Sequence, residues 1–481
     1  MGLMDAADWQ HAIFLNGWTR REATIPVIEK ATGAILTHVG QASAADVDQA
    51  VRLAAEAQRA WAAKSYHERA AVMHRAADLF EQYAPELAQW AMQEAGANRM
   101  TGDRQGPAGA GECREAASLA AMPYGEVLRS MQPRLSFSRR LPVGVVGVIA
   151  PFNAPVVLAI RAVAPALALG NAVVLKPDPR TAVIGGAVFA RIFEEAGLPA
   201  NVLQVLPGGA DVGAALVDHP KVPVIAFTGS TRAGRAIAAA AAHRLKRVHL
   251  ELGGNSAFIV MDDVDIEWAA QLGARGTFTH AGQICMASGR HLVHESVAEA
   301  YAQALARIAG GMSVGDPTQG AEIGPIIDEG QRDQIDSLVR RSADAGAEVL
   351  TGGTHEGLLY RPTVLFPTPT DAPAYAEEVF GPVASIVPFA TDDEAAALAA
   401  DSEYGLSLGI LTTDVTRALA LAERIPSGAV HINDQTINDE PNVPFGGVGD
   451  SGNGARHGGH HANLEAFTEL QWVTVRPPNG R

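Results

Sequence analysis

From Ala44 to Gly96 apolar residues recur every three or four positions with charged residues between them, in DVDQAVRLAAEAQRAW and then HERAAVMHRAADLFEQYAPELAQWAMQEAG. That period places the apolar side chains on one face, so two or three amphipathic helices are expected. Further on the period changes. VGVVGVIAP, NAVVLKP, NVLQVLPGG, VIAFTGS and RVHLELGG are short apolar, β-branched runs closed by Gly or Pro, and segments of helical period such as TAVIGGAVFARIFEEAG and TRAGRAIAAAAAHRL separate them. Buried strands alternating with helices predict right-handed βαβ units around a parallel sheet covered on both faces. The expected fold class is therefore α/β, with a Rossmann-type first unit.

A second α/β series follows Gly253 and runs through SAFIVMDD, RHLVHES, AEVLTGG, ASIVPFA and GAVHIND, interleaved with helices such as SVAEAYAQALARIAGG. It predicts another lobe. Two outlying pieces, RSMQPRLSFSRRLPV and FTELQWVTVRPP, alternate apolar and polar residues as exposed strands do. Unpaired edges of that kind invite a second chain, so they are read as a small β oligomerisation ribbon.

Composition narrows the function classes. The chain has 481 residues, 47% hydrophobic and 19% charged, and a formal net charge of −16. A nucleic-acid surface needs clustered Lys and Arg, so no nucleic-acid partner is expected. The uncharged stretch Leu141 to Ile160 imitates a membrane span, but Pro142, Pro151, Asn153 and Pro155 interrupt it. A buried strand, a loop and a helix start are expected there, and no membrane association. The two cysteines, Cys113 and Cys285, make no disulfide framework, and the start MGLMDAADWQ lacks the pattern of a signal peptide. A reducing cytoplasm is the expected location.

Several motifs are decoys. The literal GxGxxG at Gly447 to Gly452 ends no apolar strand and has no βαβ unit after it. The GDSG inside it lacks a His and Asp context, and HGGHH at 457–461 lacks neighbouring Cys or carboxylate ligands, so no metal is expected. FTGSTRAG is a better signal. An apolar strand runs into a helix through Gly229, Ser230 and Gly234, where backbone amides and a helix N-terminus can approach a pyrophosphate. Cys285 lies in HAGQICMASGR among small neighbours, which suggests an accessible sulfur rather than core filling.

PFNAP at 151–155, LKP at 175–177, FTGST at 227–231, LELGGNS at 250–256, GQIC at 282–285, EEVFGPV at 377–383 and PFGGVGDSGNG at 444–454 together resemble the NAD(P)-dependent aldehyde dehydrogenase superfamily, in its order and over nearly the whole chain. KPDPRTAV, HLELGGNSAFIVMDDVD and GQICMASGRHLV look most like its aromatic-aldehyde branch, the benzaldehyde, salicylaldehyde and vanillin dehydrogenases. The resemblance implies a discontinuous NAD(P)-binding domain (1–126 and 143–252), a catalytic domain (253–449), and an oligomerisation ribbon with C-terminal segment (127–142 and 450–481) of a homodimer or homotetramer. It implies Cys285 as nucleophile, Glu251 as general base and the Asn153 amide, with the Cys285 N–H, as oxyanion donors. It assigns Lys176 to the adenosine ribose, Gly229 and Ser230 to the phosphate turn, and Glu378 and Phe380 to the nicotinamide ribose and ring. Where many relatives carry Lys-Pro-x-Glu, this chain has Pro179 with Arg180 beside it. Loss of that carboxylate opens the site to a 2′-phosphate, so NAD and NADP both remain open. Arg180 reads equally as an exposed residue of a first helical turn. Ile284, Met286, Phe152, Val157 and Leu158 would form an apolar slot for a flat ring. The alternatives are a broad or aliphatic aldehyde dehydrogenase, a coenzyme A-acylating enzyme, or a non-catalytic protein of the same fold.

Overall fold

The computed structural model describes residues 2–5 and 7–477. Met1, Ala6 and residues 478–481, which the expected domain ranges include, lie outside the described residues. The periodic N-terminal region forms three helices, Ala44–Ala63, Tyr66–Gln82 and Ala84–Ala95. Ser43 and Ser65 open the first two with reciprocal capping boxes through Asp46 and Glu68, which satisfy amides that helix geometry leaves unpaired.

The five early β runs form parallel strands in the order Arg247–Glu251, Val224–Thr228, Val145–Ile149, Ala172–Lys176, Leu203–Val205. The chain starts at the central strand, fills one side, then returns to fill the other. That reversal opens a crevice at the carboxyl ends, beside the loops after Ile149 and Thr228. Two short antiparallel strands, Ala12–Phe14 and Trp18–Arg20, extend the sheet's edge. The sequence pattern missed them because three residues show no period.

The second sheet has the order Val349–Thr351, Thr363–Leu365, Val383–Phe389, Arg290–His294, Ala257–Val260, Ser407–Leu411, Ala429–Ile432, parallel except at its first strand. Thr363–Leu365 and Ser407–Leu411 are additions to the five expected runs. Leu135–Pro142 pairs antiparallel with Thr468–Val475 along its full length, as a separate two-stranded ribbon. On that ribbon Leu470 is 59% and Trp472 63% exposed. The uncharged stretch resolves into the end of the ribbon strand, the strand Val145–Ile149, a loop and the helix Pro155–Ala168. Among the described residues no helix is long and apolar enough to cross a membrane.

One helix escaped the sequence reading. Gln105–Leu119 contains Gly106, Pro107, Gly109 and Gly111, a composition that argues against a helix. Its glycines serve packing instead: a Cβ would lie 2.4 Å from Ala84 Cβ at Gly106 and 2.5 Å from Phe80 Cδ1 at Gly109. Close approach to the neighbouring helices offsets their low propensity.

Candidate active site

After the helix Ile266–Phe278 the chain turns through three successive left-handed residues, His280 (φ 53), Ala281 (φ 52) and Gly282 (φ 69). A non-glycine residue there costs about 1–2 kcal/mol, so the surroundings must impose it. Gln283 supplies part of the constraint: its Oε1 accepts from the Ile327 amide at 2.9 Å. Gly282 lies so close to the next segment that a Cβ would sit 2.0 Å from the Gly381 carbonyl oxygen. The Met286 carbonyl accepts from Thr436 Oγ1 at 2.6 Å. Held from three sides, the loop presents a half-buried Cys285 to a cavity of about 590 Å³.

Asn153 follows the central strand of the first sheet. Its Nδ2 donates to the Gln283 carbonyl at 2.9 Å, and both Asn153 and Cys285 line the cavity. The Cys285 amide donates to no backbone carbonyl among the described residues. Burial pushes the Cys285 thiol up to about 12, and the carboxylates of Glu378, Glu251 and Asp439 push the same way. Cys113 is fully buried, and burial raises its thiol further still.

Glu251 ends the strand Arg247–Glu251 and is 2% exposed, with neither carboxylate oxygen hydrogen-bonded. Burial holds its pKa well above the usual carboxylate range, against the pull of Arg456 and Arg161. Glu251 does not line the cavity; Gly446 does, and a Cβ on Gly446 would lie 2.8 Å from Glu251 Oε1. A missing side chain therefore leaves the carboxyl beside the cavity wall. The glycine-rich loop of the GxGxxG decoy secures this strand end, its Ser451 carbonyl accepting from the Leu252 amide at 2.9 Å. Ser451 is fully buried and its Oγ accepts from the Gly405 amide, so the GDSG letters hold no exposed nucleophile.

A second group of expected residues gathers on the other side of the Cys285 loop. Glu378 Oε1 accepts from the Gly254 amide at 2.9 Å, and a Cβ on Gly253 would lie 2.2 Å from its Oε2. Burial lifts Glu378 to about 7. Phe380 has φ 49, and its ring meets Phe152 edge-on at 5.9 Å between centroids. Phe152 thus belongs here and not to the apolar slot; Val157, Leu158, Ile284 and Met286 do line the cavity. Lys176 ends its strand 8% exposed, its pKa lowered by burial.

Ser230 caps the helix Thr231–Ala242, its side chain accepting from the Ala233 amide. The Gly229 and Gly234 amides donate to the carbonyls of Glu251 and Ser230, at 3.0 and 2.9 Å. The expectation that these two amides face a pyrophosphate is narrowed accordingly. First-turn amides remain as donors, while Gly234 lets the helix approach the sheet, since a Cβ there would lie 2.3 Å from Leu252 Cδ2.

Arg180 is neither a free phosphate ligand nor a plain surface residue. It pairs with Asp178 at 2.8 Å and Asp328 at 2.6 Å, and its guanidinium carbon sits 4.4 Å over the Phe152 ring. Arg161 is fully buried, paired with Glu112 at 3.2 Å and Asp439 at 2.6 Å, and donates to the Glu440 carbonyl at 2.7 Å. In HGGHH, His457 is buried and His460 pairs with Glu115 at 3.1 Å. Among the described residues no group of three His, Cys, Asp or Glu is disposed to hold a metal. Sequence reasoning missed Gln105, His280, Phe445 and Gly446 as cavity residues: Gln105 comes from a distant segment, and the other three lie inside motifs whose spacing does not say which side chains face the cavity.

The sequence profile of the aldehyde dehydrogenase family matches residues 18–473. The chain is 58% identical over 478 residues to a vanillin dehydrogenase of Amycolatopsis sp., covering 99% of this chain and 98% of that protein. It is 46% identical over 476 residues to the benzaldehyde dehydrogenase [NAD(+)] of Pseudomonas putida, covering 98% of each. Among solved structures, the salicylaldehyde dehydrogenase of Pseudomonas putida G7, complexed with salicylaldehyde, superposes with a TM-score of 0.93 at 35% identity, over 97% of this chain and 98% of that one. A cysteine loop, an amide and a buried carboxyl gathered at one cavity, inside a chain whose residues 18–473 match the family, have a single common reading: the protein belongs to the aldehyde dehydrogenase family.

Proposed function

We propose that the chain oxidises an aromatic aldehyde of the vanillin, benzaldehyde or salicylaldehyde class to its carboxylate, with Cys285 as nucleophile and Glu251 as base. The observation that carries this reading is Cys285 and Asn153 on one largely apolar cavity with the Glu251 carboxyl behind Gly446. The three aromatic-aldehyde relatives support the substrate class. The balance is RCHO + NAD(P)⁺ + H₂O → RCOO⁻ + NAD(P)H + 2H⁺.

The other side of the nucleophile loop fits a dinucleotide. Lys176 is buried with no carboxylate in ion-pair range among the described residues, and Glu378 Oε2 sits in a cradle that any Cβ at 253 would fill. Lys176, Glu378, Ser230 and the first-turn amides after it would hold the ribose hydroxyls and phosphates of NAD or NADP. Bound NAD(P)⁺ supplies the hydride acceptor.

The protein's own residues perform the remaining chemistry. The Cys285 thiol gives up its proton to solvent, the Sγ thiolate adds to the carbonyl carbon, and the oxygen takes up the negative charge between Asn153 Nδ2 and the Cys285 amide. Donors fixed in advance are worth most where charge develops. The oxidised adduct is a thioester on Cys285. Glu251 accepts a proton from water, the resulting hydroxide attacks the acyl carbon, and the C–S bond breaks to return the thiolate. The ribbon of Leu135–Pro142 and Thr468–Val475 joins subunits into a homodimer or homotetramer, in a reducing cytoplasm.

Absorbance of the reduced cofactor tests the reading, with vanillin, benzaldehyde, salicylaldehyde and straight-chain aldehydes supplied with NAD⁺ and NADP⁺. We expect kcat/KM for the ring aldehydes to exceed that for hexanal by about tenfold or more, a difference of about 1.4 kcal/mol in the transition state. Equal values across the panel would overturn the aromatic assignment, and absence of turnover with every aldehyde would overturn the enzymatic one.

A further inference from the structure

Glu251 carries an electrostatic problem that the mechanism leaves open. A base sealed from solvent is held protonated by its own desolvation, and a protonated carboxyl cannot take a proton from water. The charged groups that face it come from four segments. Arg161 approaches from the helix Pro155–Ala168, Asp439 from the loop before the cavity's far wall, Cys285 from the nucleophile loop, and Arg456 from the glycine-rich C-terminal loop.

Arg161 divides its charge. Asp439 lies 2.6 Å from it and Glu112 3.2 Å, so its cation is shared with two acids besides Glu251. Arg456 is different. Among the described residues its side chain makes one hydrogen bond, Nη1 to the Gly447 carbonyl at 3.0 Å, and no ion pair. It lies across a gap from Glu251 that one residue defines: a Cβ on Gly446 would be 2.4 Å from Arg456 Nη1 and 2.8 Å from Glu251 Oε1. The absent side chain leaves an unpaired guanidinium and an unpaired carboxyl on either side of the same small space. Low dielectric between them strengthens the attraction.

We propose that Arg456 is a positioning residue for deacylation, its uncompensated cation across the Gly446 gap raising the share of Glu251 in the ionised, proton-accepting form that hydrolyses the thioester. The proposal rests on Glu251 being the base. Arg456 touches neither substrate nor the reacting atoms; it acts on the charge of the residue that does. Acylation, which needs the thiol and the oxyanion donors, does not depend on it.

The test uses the full-length enzyme with an aromatic aldehyde and saturating cofactor, comparing wild type, Arg456→Gln, Arg456→Lys and Glu251→Gln. Arg456 is half-buried with a single loop hydrogen bond, so the fold tolerates these changes, and melting temperatures monitor this. Expected for R456Q is a pre-steady-state burst of reduced cofactor of normal size, followed by slow turnover whose acidic limb in the kcat profile moves alkaline by about one pH unit or more, a tenfold loss at neutral pH. R456K, which keeps the cation, returns the limb to within about 0.3 unit of wild type on the same scale. An R456Q profile superimposable on wild type overturns the proposal, as does an R456K profile displaced as far as that of R456Q. The underlying reading fails separately: if E251Q turns over like wild type after its burst, Glu251 is not the base, whatever Arg456 does.

Discussion

A thiol whose surroundings push it up to about 12 is almost wholly protonated at neutral pH. In the cofactor-free enzyme, alkylation of Cys285 by iodoacetamide is therefore expected to rise about tenfold per pH unit without levelling below pH 10, because the thiolate is the reacting species. Peptide mass spectrometry distinguishes it from Cys113, which is fully buried and stays unlabelled; a plateau near pH 8 at Cys285 would show that the carboxylates do not govern it. Burial comes first among the causes and Glu378 is the first charge after it, so Glu378→Gln shifts the labelling curve toward lower pH. The proposed oxyanion pair makes its own prediction. Asn153→Ala removes one of two fixed donors and is expected to lower kcat by about 10²–10³ in steady-state assays while the protein stays folded. Loss of less than about threefold would mean that Asn153 only holds the Gln283 carbonyl.

At the scale of elements, one glycine decides how a helix and a strand meet. Gly234 brings the helix Thr231–Ala242 against the strand that carries Glu251, and a Cβ there would lie 2.3 Å from Leu252 Cδ2. Gly234→Ala forces the helix outward, with an expected stability loss of about 1–3 kcal/mol and weaker cofactor binding, read from thermal melting and cofactor titration. Unchanged melting would mean that Leu252 moves aside freely. Such contacts explain what could be read in advance. Strands such as Val145–Ile149 and Arg247–Glu251 were legible because parallel sheets buried on both faces leave continuous apolar runs. That Cys285, Glu251 and Asn153 come near one cavity was legible because each sits in a local motif, Glu251 at a strand end and the other two in loops. The helix Gln105–Leu119 was not, since its glycines are explained only by Phe80 and Ala84 on other helices. Phe152 was placed in the wrong pocket for the same reason. Its neighbours Arg180 and Phe380 reach it from elsewhere in the chain, and no local spacing reports that.

For the whole molecule, the ribbon is the conspicuous unfinished surface. Leu135 is 51% exposed, Leu470 59% and Trp472 63%, on a two-stranded sheet. An isolated pair of strands is marginal in water, and exposed apolar edges are typical of surfaces that meet another chain. Replacing Leu470 and Trp472 together with Asp is expected to yield monomers by light scattering coupled to gel filtration, where the proposed assembly has the unaltered chain eluting as a dimer or tetramer. Co-elution of the two would remove the ribbon from the interface.

The Cys285 loop has a consequence for how the protein is born. Its left-handed run rests on the Gly381 carbonyl, its Met286 carbonyl is tied to Thr436, and the carboxyl at Glu251 is walled in by Gly446 and the Ser451 loop. Translation delivers the sulfur long before any of these supports. While the later segments are still on the ribosome, Cys285 belongs to an unfinished lobe whose restraining contacts do not yet exist. During that interval it behaves as an ordinary cysteine, open to oxidants and stray electrophiles, until the segments that carry Gly381, Thr436, Gly446 and Ser451 have been made and packed.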